Sequence, residues 1–339
     1  MQKIIVIVGP TASGKSALAV LLAKKFNGEV VSADSRQVYR GLEIGSAAIT
    51  DREMRGVPHH LVGIVSPREV CTTGHFVAAA RDAIADIARR GRVPIVAGGT
   101  AFWVNALAQG IVLPEIKPDT ALRRRLEKKS AAQLFAILKK ADPRRAGDIE
   151  QQNPRRLIRA IEIARSLGRV PPFVKHRVFN TLWLGLNPAP VLLARRVTAR
   201  AERMIRDGLA AETRALARSI PIKRVREFGF EYRAALLYNR GELTRKQFAA
   251  RLVADTLHYA KQQNRWWKRN PAIYWITAPD VARRFGARHK WDNVHAAAIS
   301  LVKKFLQKSP SRTAKNRLTF RAAPAVRPAR PRRLPRPGS

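Results

Sequence analysis

Acidic residues are scarce in this 339-residue chain: 24 Asp and Glu stand against 65 Lys and Arg, giving a formal net charge of +41. No fold requires that imbalance. The self-repulsion it brings is relieved by a polyanion, so nucleic acid is the first partner to expect. An anionic membrane surface comes second, but nothing resembles a lipid anchor or a basic amphipathic helix beside a membrane span, and no membrane partner is expected. Cysteine is rarer still. Cys71 stands alone, which excludes an intrachain disulfide and a cysteine-based zinc site and fits a reducing compartment. Long apolar runs are missing too. The opening "MQKIIVIVGP" carries a run of five apolar residues that ends in Gly-Pro. It is too short for the apolar core of a signal peptide and for a membrane span, so a cytoplasmic location is expected.

Hydrophobic residues make up 46% of the chain, enough for a soluble globular protein with two structural units. Residues 4–8 (IIVIV) read as a buried parallel strand, and 15–26 as a helix with Leu18, Leu21, Leu22 and Phe26 on one stripe. A second strand, "GEVVSAD", ends at Asp34. Then follow a helix, a strand over Val93–Ala97, a Gly-Gly turn and another helix. This alternation predicts a doubly wound parallel sheet with its site at the carboxyl ends of the strands. Residues 116–178 hold no strand pattern but three helical stretches, and read as an inserted helical domain. Strand character returns at 179–188, residues 190–270 are mostly helical, "AIYWITA" is a short late strand and "WDNVHAAAISLVKKFLQ" a closing helix. Residues 309–339 carry nine Arg and Lys, no acid and many prolines, and are expected to be a disordered tail. Without them the chain still carries +32, so the body is basic in its own right.

The strongest motif is Gly9-Pro10-Thr11-Ala12-Ser13-Gly14-Lys15-Ser16, a full G-x-x-x-x-G-K-[ST] loop between a predicted strand and helix. In that setting the glycines let backbone amides point inward and the helix N-terminus adds partial positive charge. Lys15 neutralises phosphate oxygens, and the Ser16 hydroxyl is placed to ligate Mg²⁺. A diphosphate or triphosphate is the expected ligand. A phosphoryl transferase would normally also end a strand in a metal-holding carboxylate, yet Val93–Ala97 runs into Gly-Gly-Thr. Asp34 is the acid nearest the loop in this topology, and it either meets an acceptor substrate or caps the following segment.

Several segments together resemble the tRNA dimethylallyltransferase (tRNA isopentenyltransferase) family. They are "GPTASGKS", "SADSRQVYRGLEIGSA", "PHHLVGI", "PIVAGGTAFWVNAL", "DPRRAGDIEQQNPRRLIRAIEI", "RRVTARAERMIRDGL", "FGFEY" and "HYAKQQNRWWKR", in the family's order over roughly residues 1–270. The loop alone is unspecific; "DSRQVYRG" with "NPRRLIRAIE" and "YAKQQ…WW" is not. The resemblance implies a P-loop core over 1–115 and 179–308, with the helical insertion at 116–178 contacting tRNA. It implies transfer of a dimethylallyl group from dimethylallyl diphosphate to the exocyclic amine of the adenine 3′ of a tRNA anticodon, with Mg²⁺ as cofactor. Asp34 would be the acceptor for the amine proton, Thr11 and Thr100 would place the reactants, and Arg200, or Arg196 one turn earlier, would face the diphosphate. For tRNA it points to Asp34, Ser35, Arg36 and Gln37, to Gln152, Asn153, Arg155, Arg156 and Arg159, and to Lys261. Phe228–Tyr232 and Trp266-Trp267 either stack on bases or pack inside. His59-His60 lacks partners at ligand spacing and is not read as a metal site. A monomer is expected.

The chain departs from the family pattern in four places: "GSAAI" for "GTAKP", which puts Ala48 where a lysine is common; "HHLVG" for "HHLID", with Gly63 for an acid; "GGTAFW" for "GGTGLY"; and Gln262 in "YAKQQ" for "YAKRQ". Lys15, Asp34 and Thr100 are kept. Two other readings stand beside this one. A P-loop kinase of a small metabolite or nucleoside would account for residues 1–115 only, and an RNA-binding protein with a vestigial loop would not need Lys15, Ser16 and Asp34.

Overall fold

The N-terminal apolar run lies in the interior of a six-stranded parallel sheet. The structure, a computed structural model, describes residues 1–112, 114, 116–172, 174–176, 178–276 and 290–308. The expected basic tail, 309–339, lies outside the described residues. Strand β1 (Gln2–Val8) leads to helix α1 (Lys15–Lys25) and β2 (Gly28–Ser32), then α2 (Asp51–Met54), β3 (His59–His60), α3 (Thr73–Arg89), β4 (Val93–Ala97) and α4 (Ala101–Ala108). Helices α5 (Thr120–Leu126), α6 (Ala131–Ala141), α7 (Pro143–Asp148) and α8 (Pro154–Leu167) follow. Strand β5 (Phe179–Leu186) is succeeded by α9 (Pro190–Arg206), α10 (Leu209–Ser219), α11 (Ile222–Glu227), α12 (Phe230–Asn239) and α13 (Arg245–Trp267), and β6 (Ile273–Ile276) by α14 (Lys290–Gln307).

The strand order is β3-β2-β4-β1-β5-β6, every pair parallel. A central parallel strand is covered on both faces, which is why β1 is apolar at consecutive positions. Its side chains divide with period two. Ile4, Val6 and Val8 join the larger core with Phe76, Trp103, Tyr232 and Trp267, whereas Ile5 and Ile7 join the other with Leu18, Leu22, Val294 and Val302. The reversal around β1 and β4 brings the carboxyl ends of β1, β2 and β4 together, where such sheets hold their ligands.

Helices α5–α8 bury a separate cluster that includes Leu122, Leu134, Leu138, Leu157 and Ile161. The region has four helices where three were expected. Asp142 ends α6 and caps α7 by accepting from the Arg145 amide, and Pro143 takes the first helical position, so one continuous pattern becomes two helices. Two further expectations change. Strand β2 stops at Ser32, which leaves Asp34 on the loop beyond it, and the two-residue strand β3 was too short to show a period. Among the described residues, no helix is long and apolar enough to cross a membrane.

The His59-His60 pair serves the sheet edge. His60 Nε2 lies 2.7 Å from Glu29 Oε2, and His59 Nδ1 is 2.8 Å from the Val57 carbonyl. Glu29, 1% exposed on β2, also accepts from both terminal nitrogens of Arg90 and from Arg92 Nη1 at 2.7 Å. The Arg90 hydrogen bonds hold its carboxyl down at about 2, against desolvation and with help from His60. Because the folded value lies below the ordinary 4.5, this stabilisation is complete above that pH and is lost as pH falls through about 2. Glu29→Gln is expected to cost about 2 kcal/mol in urea denaturation at pH 7, below the ~3–5 kcal/mol of a fully buried pair because the arginines are partly wet.

Candidate active site

The phosphate loop takes its shape from three left-handed residues. Gly9 has φ +143°, and a Cβ there would run into the Leu186 carbonyl at the end of β5. Ala12 and Gly14 follow at φ +59° and +96°, Gly14 being the N-cap of α1. The loop therefore turns its backbone toward the helix N-terminus, where amides gather around an anion. Lys15 Nζ donates to the Pro10 carbonyl at 2.7 Å, folding back over the loop. Burial pushes its ammonium down to about 8, with Asp34 pulling the other way and Arg200 lowering it further. Ser16 is exposed in the first turn of α1, and the Ser13 hydroxyl is buried without a partner among the described residues.

Arg200, on α9, closes the other side. Its Nη1 donates to Thr11 Oγ1 at 3.0 Å and its Nη2 to the Ser46 carbonyl at 3.3 Å, while Arg196 Nη1 donates to the Ser13 carbonyl at 3.3 Å. Desolvation lowers the pKa of Arg200, and Glu231 and Asp34 offset part of that. Both arginines left open by the sequence thus lie at the loop, with Arg200 the deeper in the cluster of charges.

Asp34 uses one carboxylate oxygen to shape its own loop. Oδ1 accepts from the Arg36 amide at 2.9 Å and the Gln37 amide at 3.4 Å, an Asx-type turn. Oδ2 makes no hydrogen bond among the described residues and shares its surroundings with Lys15, Arg36, Arg200 and Tyr259. One carboxylate oxygen therefore holds the turn, while the other makes no hydrogen bond among the described residues. Thr100, the N-cap of α4, accepts from the Ser35 amide at 3.0 Å and donates to Ser35 Oγ at 3.2 Å, which ties the β4 turn to the Asp34 loop. Gln37 Oε1 accepts from Ser32 Oγ, and its Nε2 donates to the Ala47 carbonyl.

Two residues that the motifs did not single out hold these pieces together. Gln263, 6% exposed on α13, accepts from the Thr11 amide at 2.7 Å and donates to the Gly99 carbonyl at 2.9 Å. One side-chain amide thus bridges the phosphate loop and the β4 turn, and its Nε2 occupies the space a Cβ on Gly99 would need. Glu212 on α10 accepts from the Ile44 and Gly45 amides at 2.7 and 2.9 Å and from Tyr232 Oη at 2.8 Å, anchoring the segment that carries Ser46. Gln263 lies inside "YAKQQ"; Glu212 carried no signal, being one acid on an amphipathic helix. Gln263→Leu keeps the volume but strands both backbone groups. It is expected to raise donor KM about tenfold and to cost about 1–3 kcal/mol in urea melts.

Beyond Asp34 the surface opens into a cleft of about 1400 Å³ that reaches Ser35, Arg36 and Tyr259. Its walls carry Arg123 and Arg155 from the α5–α8 region and Lys223, Arg224, Arg233 and Arg251 from α11–α13. Of the RNA candidates, Ser35, Arg36 and Arg155 line this cleft. Gln152 and Arg156 are exposed at the start of α8, Arg156 with Glu150 at 3.1 Å, and Asn153 is the N-cap of α8. Arg159 is committed to the fold: it pairs with the buried Glu162 at 3.2 Å and donates to the Ile116 carbonyl at 3.0 Å. Lys261 is exposed on α13, one residue from Gln262, which contacts His258. The aromatic candidates resolve by burial. Phe228, Tyr232 and Trp267 are at most 3% exposed and belong to the core, because their positions face inward on packed helices. Phe230 is half-buried and lines the cleft. Ala48, Gly63 and Gln262 make no contact with Lys15, Asp34 or Thr100 among the hydrogen bonds of the described residues.

A phosphate loop on a parallel sheet, an acid on the loop just beyond β2 and a basic cleft beside it define a P-loop transferase of the α/β class. The comparisons narrow the class. The family profile described as IPP transferase matches residues 37–270, and that described as Isopentenyl transferase matches residues 2–63. The chain is 42% identical over 290 residues to the tRNA dimethylallyltransferase of Roseiflexus sp. (strain RS-1), covering 82% of this chain and 94% of that one. It is 38% identical over 293 residues to that of Leuconostoc citreum (strain KM20), covering 86% and 99%. Among solved structures, it is similar to the full-length tRNA isopentenylpyrophosphate transferase from Bacillus halodurans, with a TM-score of 0.64 and 33% identity over 90% of this chain and 98% of that one. It is also similar to a eukaryotic dimethylallyltransferase acting on tRNA, with a TM-score of 0.73 and 28% identity over 91% and 81%. The chain belongs to the tRNA dimethylallyltransferase family.

Proposed function

We propose that this enzyme transfers the dimethylallyl group of dimethylallyl diphosphate to the exocyclic amine of the adenine 3′-adjacent to a tRNA anticodon, giving N6-isopentenyladenosine. The C–O bond to the diphosphate breaks, a C–N bond forms, diphosphate leaves, and one amine proton passes to Asp34 Oδ2. The observation that carries this reading is that the charges of Lys15, Arg200 and Asp34 act on one another beside a cationic cleft lined by Ser35 and Arg36. An exocyclic amine is a weak nucleophile because its lone pair is delocalised into the ring, so a positioned acceptor for its proton accelerates attack. An allylic diphosphate needs its departing charge stabilised, and the loop amides with Lys15 and Arg200 supply that without activating water.

The adenine must leave its stack to reach Asp34, and the cleft that ends beside Ser35, Arg36 and Tyr259 leaves room for a flipped nucleotide. The anticodon stem-loop would lie between the α5–α8 region and α11–α13, its phosphates facing Arg155, Lys223 and Arg233. The donor set also fits Mg²⁺. The exposed Ser16 hydroxyl at the α1 N-terminus offers one oxygen, and Mg²⁺ ordinarily takes its remaining ligands from phosphate and water. When bound, it would neutralise charge on the leaving diphosphate. The enzyme would act as a monomer.

The deciding assay incubates the protein with Mg²⁺, labelled dimethylallyl diphosphate and tRNA carrying adenine 3′ of the anticodon. Label in the tRNA supports the reading. ATP consumption on a small acceptor, with no labelled tRNA, would replace it by the P-loop kinase, an alternative that leaves the basic cleft without a role.

A further inference from the structure

An ion pair beside Asp34 is left unused by that chemistry. The Arg36 guanidinium, 15% exposed, pairs through Nη1 with Glu231 Oε2, and the Glu231 side chain is 5% exposed. The same guanidinium lies over two rings, 5.6 Å from the centroid of Phe230 and 5.7 Å from that of Tyr259. Its backbone amide meanwhile donates to Asp34 Oδ1. The residue that shapes the Asp34 loop thus carries a cation that is turned away from the Asp34 carboxylate and clamped by α12 and α13.

We propose that Glu231 is a positioning residue of the transfer reaction: by holding Arg36 against Phe230 and Tyr259, it keeps that cation off Asp34 Oδ2 and leaves this oxygen free to take the amine proton. The proposal rests on the reading of Asp34 as proton acceptor.

Arg36 faces Glu231 and Tyr232 from α12, Tyr259 from α13, Arg200 from α9 and Asp34 from its own loop. Asp34 in turn faces Lys15, Arg200 and Tyr259 besides Arg36. The ionised groups around this point are three cations and two carboxylates. Removing Glu231 strands a guanidinium that cannot lose its proton, and Asp34 is the remaining carboxylate among the groups it faces. A carboxylate that gains an arginine partner becomes a weaker base. The aromatic rings strengthen the clamp, since a guanidinium over two π-faces loses attraction when it swings away. Gly229 belongs to the same device: a Cβ there would sit 2.9 Å from both Arg36 Nη1 and Glu231 Oε2, so the close approach of the pair requires glycine.

The test uses the full chain with Glu231→Gln, and with Glu231→Gln combined with Arg36→Met. The single variant is expected to lower kcat at saturating tRNA by about ten- to a hundredfold, at or below the lower end of the ~10²–10⁴-fold contributed by a positioned base, and to move the acid limb of the pH profile to lower pH. The double variant removes the cation together with its lock, and at saturating tRNA should recover kcat to about tenfold above the single variant and return the limb, with any loss of the Arg36 contact to RNA read separately in the KM for tRNA. A double variant no better than the single one makes Glu231 merely structural and overturns the proposal. So does a single variant with wild-type kcat, or one that binds tRNA more tightly with an unmoved acid limb, which would mean that Glu231 restrains Arg36 from RNA instead. Titration of ¹³C-labelled Asp34 in the same three proteins separates this from the function itself. A midpoint that falls in Glu231→Gln and returns in the double variant upholds the lock even if wild type labels no tRNA; an unmoved midpoint refutes it while labelling stands.

Discussion

Asp34→Asn is expected to lower the rate of label transfer by about 10³-fold while leaving the urea midpoint and tRNA affinity close to wild type. Asparagine keeps Oδ1, which accepts from the Arg36 and Gln37 amides, so the turn that shapes residues 34–37 survives. What it loses is the basic oxygen, and a positioned base accounts for ~10²–10⁴-fold of a rate. Asp34→Ala removes both functions. It should lose transfer to the same degree and also weaken tRNA binding, since Ser35 and Arg36, whose backbone follows that turn, line the cleft. The two variants therefore separate the capping reading of Asp34 from the chemical one. If Asp34→Asn retains more than about a tenth of wild-type kcat, the carboxylate serves the turn alone.

Lys15→Met carries the second large effect. Methionine preserves the unbranched stem but removes the charge that meets the departing diphosphate, and losing one such group costs about 10²–10³-fold in kcat. Affinity for tRNA should not change, because Lys15 lies in the loop and not in the cleft. A companion measurement needs no mutation. With burial holding the Lys15 ammonium near 8 in the ligand-free protein, an anionic donor binds the protonated form preferentially. Donor KM is then flat below pH 8 and rises by up to about tenfold per pH unit above it. A KM that stays flat to pH 10 would place the anion's charge partner elsewhere, with Arg200 the first candidate.

Five of the six strands of the sheet and the phosphate loop were legible because each carries a local rule. Five apolar residues before Gly9, and the spacing from Gly9 to Lys15, state a strand and a turn within one short window. The division of α6 from α7 was less legible, since Asp142 and Pro143 interrupt a pattern that otherwise continues. Residues such as Gln263, Glu212 and Glu231 could not be ranked from the chain alone. Each is an ordinary polar residue on a helix, and its role arises from a partner 164 to 252, 167 to 168, and 195 positions away respectively. The aromatic residues show the same limit: Phe228 and Trp267 look like base-stacking candidates until packing buries them, whereas Phe230, two positions from Phe228, stays half-buried at the cleft.

By itself, then, the sequence determined the phosphate-loop motif, the parallel sheet behind it and, through its excess of Lys and Arg, the basic character of the body. Those properties are local or additive: a turn needs its glycines, a buried strand its apolar run, and net charge is a sum. The tertiary structure decided that both Arg196 and Arg200 reach the loop, which oxygen of Asp34 holds its turn, and that the Arg36 cation pairs with Glu231. Such facts depend on groups far apart in the chain coming within a few ångströms in a dry site, where one charge fixes what its neighbour can do.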